Sequence, residues 1–87
     1  MSTARELQEH ITASYLPDVD PGELDRDLDL LDTGVVDSLG VLRLIAWIDQ
    51  RYGLGLGNAE VTLDDFRTVS AISDLIDRER ERATPPR

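Results

Sequence analysis

Val36-Asp37-Ser38-Leu39-Gly40 holds the side chains of this sequence best placed for chemistry, because it puts a serine hydroxyl at the first turn of an amphipathic stretch. A helix start leaves backbone N–H groups unpaired and carries a partial positive charge, so it favours a phosphate placed there. Asp37 suits the N-cap, where its carboxylate can accept from those free amides. Ser38 then projects outward from the first helical position. That geometry suits a serine esterified to a phosphate better than one attacking a substrate. A hydrolase nucleophile at Ser38 lacks its partners: Gly34 and Gly40 do not make the nucleophile-elbow spacing, and no histidine lies nearby in sequence.

Other chemistry-bearing residues carry less. Asp25, Asp27 and Asp29 alternate like the opening of a calcium loop, but Leu30 and Val36 stand where that loop needs glycine and glutamate. They read as solvated loop carboxylates, and no metal site is expected. His10 is the sole histidine and reads as a surface residue of the first helix. With no cysteine there is no disulfide framework, zinc-thiolate site or thiol nucleophile.

The elements that must position Ser38 follow from apolar spacing. A first helix starts at Thr3, which forms a capping-box pattern with Glu6, and carries Ala4, Leu7, Ile11 and Tyr15 on one stripe. Leu16-Pro17 ends it. A long connection from Asp18 to Val36 holds Leu24, Leu28, Leu30, Leu31 and Val35, too many apolar side chains for a floating loop, so it should be pinned across the other helices. The second helix runs from about Ser38 to Tyr52, with Arg51 in its last turn and Gly53 just beyond. Thr62 and Asp65 cap a short helical turn bearing Leu63 and Phe66. Thr68 caps a last helix with Val69, Ile72, Leu75 and Ile76 inward. The predicted fold is all-α: a small four-helix bundle of three longer helices and one short one, with the long loop between the first two. One domain over residues 1–87 is expected, with its core over about 3–80 and residues 83–87 frayed.

The second helix has two apolar sides. Val41, Leu44, Ile45, Ile48 and Tyr52 make the core face, with Trp47 at its boundary. Leu39, Leu42 and Ala46 point roughly 100–160° away from it. This second strip begins beside Ser38 and is flanked by Arg43, Asp49 and Gln50. Either the long loop covers it or it docks partner enzymes; apolar patches with charged rims are what transient interfaces use.

The formal charge is −9, from 18 acidic and 9 basic residues, every basic one an arginine. Such a chain repels nucleic acid and anionic membranes and favours partners with basic patches. At 87 residues it can hold one modest core and no deep substrate cavity. The first residues lack an apolar leader and no run reaches membrane-spanning length, so a cytoplasmic protein is expected.

Asp37-Ser38-Leu39 at the start of an amphipathic second helix, after a long loop with Leu30-Leu31-Asp32-Thr33-Gly34, resembles the acyl and peptidyl carrier proteins. Phe66-Arg67-Thr68-Val69, followed by Ile72, looks like that family's short third helix leading into its last. The resemblance spans about Thr3 to Arg80. It implies a non-catalytic protein whose Ser38 receives 4′-phosphopantetheine from coenzyme A through a phosphopantetheinyl transferase that uses magnesium. Asp37 would cap the helix and help orient that transferase. The terminal thiol of the arm would hold an acyl or aminoacyl group as a thioester, which fits a chain without cysteine.

Gly34-Val35-Val36-Asp37-Ser38-Leu39-Gly40 looks closer to D-alanyl carrier proteins and free-standing natural-product carriers than to fatty-acid carriers. Arg43 also sits where fatty-acid carriers often have a carboxylate. The resulting expectation is a monomeric, free-standing carrier in polyketide, nonribosomal-peptide or related biosynthesis. A loading enzyme would charge it, and downstream enzymes would meet Leu39, Leu42, Arg43, Ala46 and Asp49. The alternative is an unmodified helical interaction module that has kept the fold without the arm. Gly40, inside the second helix, would leave room for a partner to approach.

Overall fold

The computed structural model describes residues 3–56 and 61–83; the expected fraying over 83–87 falls almost wholly outside that range. The described chain is helical, with no strand among those residues. Helix α1 spans Thr3–Tyr15, α2 spans Ser38–Tyr52 and α3 spans Val69–Ala83. The short expected helix is a single 3-10 turn over Leu63–Phe66, and a further 3-10 turn, which the sequence reading did not anticipate, covers Pro21–Glu23.

Each helix forms where local signals put it. In α2, Asp37 caps the start and Gly53 ends it in the left-handed region at φ 66°, its amide bonding the Asp49 carbonyl at 2.8 Å. The 3-10 turn opens on the expected box: the Thr62 amide donates to the Asp65 carboxylate at 2.9 Å. Thr68 Oγ1 accepts from the Ala71 amide at 3.0 Å and starts α3. The expected box at Thr3 and Glu6 does not hold. Thr3 is already helical, and the Glu6 carboxylate reaches across to α2, where Arg51 and the Tyr52 hydroxyl (2.6 Å) donate to it.

The core is one cluster contributed by the three helices, the Leu63–Phe66 turn and the connecting loops. Leu7 and Ile11 of α1, Leu44 and Ile48 of α2, and Val69, Ile72, Leu75 and Ile76 of α3 close around Phe66. The connection between α1 and α2 is pinned as expected, with Leu24 and Leu30 buried and Leu28, Leu31 and Val35 partly so. Val36, which the sequence reading left out of that set, is fully buried.

Polar ties fix the same loop against the start of α3. Leu30 N–H donates to the Arg67 carbonyl at 2.6 Å, Ser70 N–H to Arg26 at 3.0 Å, and Ser70 Oγ to Asp27 at 3.1 Å. The Arg67 guanidinium meets Asp29, Asp32 and Asp64. Asp29 is therefore no merely solvated carboxylate. It accepts from the Asp32 and Leu31 amides and from Arg67, and these donors, the Asp32 amide foremost, hold its carboxyl below the usual range.

His10 is likewise less free than a surface histidine. Its ring stacks on Trp47 with centroids 4.1 Å apart and planes 11° from parallel. Burial beside that indole pushes its pKa down. Trp47 is half-buried at the core boundary, as the helical wheel placed it, and meets the Tyr52 ring edge-on at 6.2 Å.

The Glu6 link has a pH signature. Hydrogen bonds from Tyr52 and then Arg51 lower the Glu6 pKa, while burial and the Glu6 carboxylate raise that of the Tyr52 hydroxyl to about 12. A lowered carboxyl pKa gives stability that is present above the ordinary glutamate value of 4.5 and lost as pH falls through the folded value. Tyr52→Phe removes the first of those donors. Urea denaturation should find the variant less stable than wild type at pH 7, with the gap narrowing as the pH falls and Glu6 takes up its proton. A gap that is constant with pH would place the loss in packing instead.

Candidate functional site

Two chain segments converge on the start of α2. From one side the loop descends through the turn at Gly34, whose φ of 77° is the left-handed region that glycine enters without strain. A backbone ladder then runs from Arg67 through Leu30 to Val36, whose amide donates to the Leu30 carbonyl at 3.0 Å. Val36 buries its side chain and leaves Asp37 at the rim. The Asp37 carboxylate accepts from the Gly40 amide at 2.8 Å, and its carbonyl accepts from Val41 at 2.9 Å. Ser38 is the first helical residue and is exposed.

From the other side Tyr15, the last residue of α1, brings its hydroxyl up to the same turn. A Cβ at position 40 would meet Val36 Cγ1 at 2.9 Å and Tyr15 Oη at 3.0 Å. Gly40 is buried. This corrects the sequence reading: the absent side chain makes room for Val36 and Tyr15, not for a partner. It also fixes the sign of a substitution. Alanine in a helix interior is favoured over glycine by about 1 kcal/mol, and by less in the first turn. Forcing a methyl against a β-branched, fully buried valine costs about 1–3 kcal/mol. Gly40→Ala should therefore destabilise the fold by about 1–2 kcal/mol in chemical denaturation. A stabilised variant would mean that Val36 yields.

The site is an exposed primary hydroxyl at the positive end of a 15-residue helix. Asp37 satisfies the third amide of α2, while those of Ser38 and Leu39 have no helical carbonyl to bond. A phosphate ester on Ser38 would sit beside two free donors and in open solvent, so these residues fit a covalently tethered phosphate group.

The strip next to Ser38 is open. Leu39 is 57% exposed and Leu42 62%, and Arg43 and Ala46 are exposed as well, so the loop does not cover them. Asp49 is placed differently. It is half-buried, and its carboxylate accepts from the Leu56 amide at 2.7 Å, tying down the chain after α2. Leu63 is a further large apolar side chain exposed, at 54%, on the short turn. The sequence marks Leu63 only as part of the turn. Its partner Phe66 points inward, and a turn this short has no periodicity to separate the two.

A groove lined by Glu6, Glu9, His10, Trp47 and Arg51 lies toward the other end of α2 from Ser38. Trp47 is nine residues from Ser38, roughly 14 Å along the axis. Among the described residues no cluster of three or more histidine or acidic side chains could hold a metal ion, and no helix is long and apolar enough to cross a membrane.

A model of the phosphopantetheine attachment site family matches residues 4–76. The chain belongs to the phosphopantetheine-binding carrier proteins. Among relatives, this carrier is 32% identical to the D-alanyl carrier protein of Streptococcus gordonii (strain Challis) over 72 residues, 83% of this chain and 87% of that protein. The D-alanyl carrier protein of Streptococcus pyogenes serotype M1 is 39% identical over 46 residues, but that match spans only 58% of its length and 53% of this chain. Among solved structures, KstB-PCP in its apo form superposes with a TM-score of 0.79 at 36% identity, covering 100% of this chain and 92% of that one. A solution structure of KstB-PCP in kosinostatin biosynthesis gives 0.65 at 37% identity, over 99% and 92%. The carrier fold expected from the sequence is the one observed, and the family's cofactor is covalent 4′-phosphopantetheine. Carrier proteins of this kind interact with phosphopantetheinyl transferases and with biosynthetic enzymes.

Proposed function

We propose that Ser38 is the attachment residue and that the protein is a free-standing, monomeric, non-catalytic carrier acting in the cytoplasm. A phosphopantetheinyl transferase moves the arm from coenzyme A to the Ser38 oxygen. The hydroxyl proton is lost, a phosphate ester forms, and the pyrophosphate bond of coenzyme A breaks to release adenosine 3′,5′-bisphosphate. When bound, the arm supplies a terminal thiol that carries an acyl or aminoacyl group as a thioester. The chain's own residues present it. Asp37 holds the first turn and helps orient the transferase, and Leu39, Leu42, Arg43 and Ala46 meet the enzymes that load and unload the arm. Asp49 lies at the margin of that surface and braces the chain behind it.

The observation that carries this reading is the exposed Ser38 at the first position of α2, one residue after a carboxylate bonded to Gly40. The names of similar proteins, D-alanyl carrier protein and KstB-PCP in kosinostatin biosynthesis, support an aminoacyl load and a biosynthetic pathway, which we read as of polyketide or nonribosomal-peptide type. Intact-protein mass spectrometry after incubation with a broad-specificity transferase, coenzyme A and magnesium tests it. Wild type should gain one phosphopantetheine and Ser38→Ala none. A wild type left unmodified would return the chain to the class of helical interaction modules.

A further inference from the structure

The chain's acidity is absent from the helix that begins at Ser38. Arg43 and Arg51 against Asp49 give α2 a formal +1, so the remaining 72 residues carry −10 of the net −9. Within α2 the charges are not equivalent. Arg51 is paired with Glu6, and Asp49 accepts from the Leu56 amide. The nearest carboxylate before them, Asp37, accepts from Gly40. Arg43 is exposed and in no ion pair. Among the described arginines, Arg5, Arg51, Arg67, Arg78 and Arg82 lie in ion pairs and Arg80 lies over the Tyr52 ring. Only Arg26, on the loop, shares the condition of Arg43. An unpaired guanidinium one residue from Leu42 and four from Leu39 is the one charge set in the open apolar strip.

We propose that Arg43 is a specificity-determining contact, and that the enzyme loading this carrier presents an apolar cleft with a carboxylate opposite it. The inference rests on the reading of the Ser38 face as a docking surface and names the partner's chemistry there. The acidic residues of the loop, α1 and α3 belong to elements other than the helix that carries the strip. They steer approach over long range, while the contact itself takes the opposite sign. A partner offering a basic residue at this point would bury two like charges side by side, which disfavours that complex. Carriers and enzymes of other pathways with the reverse polarity are rejected by that repulsion.

The test uses an amino-acid-adenylating enzyme selected from a panel for loading this carrier, with carrier already bearing its arm and checked by intact mass. Loading kinetics are measured for wild type, Arg43→Gln and Arg43→Glu at low and high salt. The expected result is a KM raised about threefold by Arg43→Gln and at least tenfold by Arg43→Glu, with kcat within twofold of wild type. High salt should shrink the difference between the two variants, since rim charges act on encounter and are screened. Changing the facing carboxylate of the enzyme to lysine should rescue Arg43→Glu. A KM for Arg43→Glu equal to or below wild type would overturn the proposal, as would equal, salt-insensitive losses in both variants. Failure of Ser38 to take the arm shows at the mass check, before any of these rates, so the two readings fail separately.

Discussion

Phe66→Ala should destabilise the protein by about 3–5 kcal/mol, as truncation of a fully buried phenylalanine does. Phe66 is the sole phenylalanine and the main apolar anchor of the Leu63–Phe66 turn, because Leu63 faces solvent. Without it the turn is left to polar ties: its Thr62–Asp65 box, the ion pairs of Arg67 and the Arg78–Asp65 pair, all of them reached by solvent. The effect should spread beyond the turn, since the Arg67 carbonyl holds Leu30 and the Leu30 carbonyl holds Val36, one residue from the α2 cap. A domain of 87 residues has about 4–13 kcal/mol of stability to lose, so the variant should be marginally folded. Urea denaturation measures it. A loss below about 1.5 kcal/mol would mean that the cavity collapses and that Phe66 is not the anchor.

Leu42→Glu is expected to do the reverse, leaving the fold intact and disabling delivery. Leu42 is 62% exposed, and leucine and glutamate differ little in helix propensity, so stability should stay within about 0.5 kcal/mol of wild type. A carboxylate in the middle of the strip would need desolvating in any apolar cleft. Transfer to or from partner enzymes should fall at least tenfold while Ser38 still takes its arm. Helices that melt instead would put Leu42 in the core and reverse the assignment of the two faces.

What the sequence makes legible here is short-range. The bounds of α2, the Asp37 cap, the Gly53 terminus and the Thr62–Asp65 box depend on residues three or four apart, and those spacings are written in the chain. The two faces of α2 follow from one angle per residue. Contacts between distant residues were not legible. Glu6 has a perfect spacing for a cap at Thr3, yet two donors 45 and 46 positions away satisfy it instead. Nothing local announces that His10 lies on Trp47, or that Asp29 meets Arg67 across 38 positions. Gly40 follows the same rule in part: Tyr15 comes to it from another helix, while its nearer neighbour Val36 lies only four positions back. At the site itself local signals sufficed, because a helix cap and the serine after it are a local structure.

The most direct measurement is fragmentation of peptides from the transferase-treated protein, to find the residue that carries the arm. Ser2, Ser14, Ser70 and Ser73 stand in the same chain, two of them on α3, and Ser38 alone follows a capping carboxylate at the start of a helix. Phosphopantetheine found solely on the peptide holding Ser38 is the predicted result. The arm on any other serine, with Ser38 bare, would contradict the claim that this hydroxyl at the tip of α2 is where the carrier is charged.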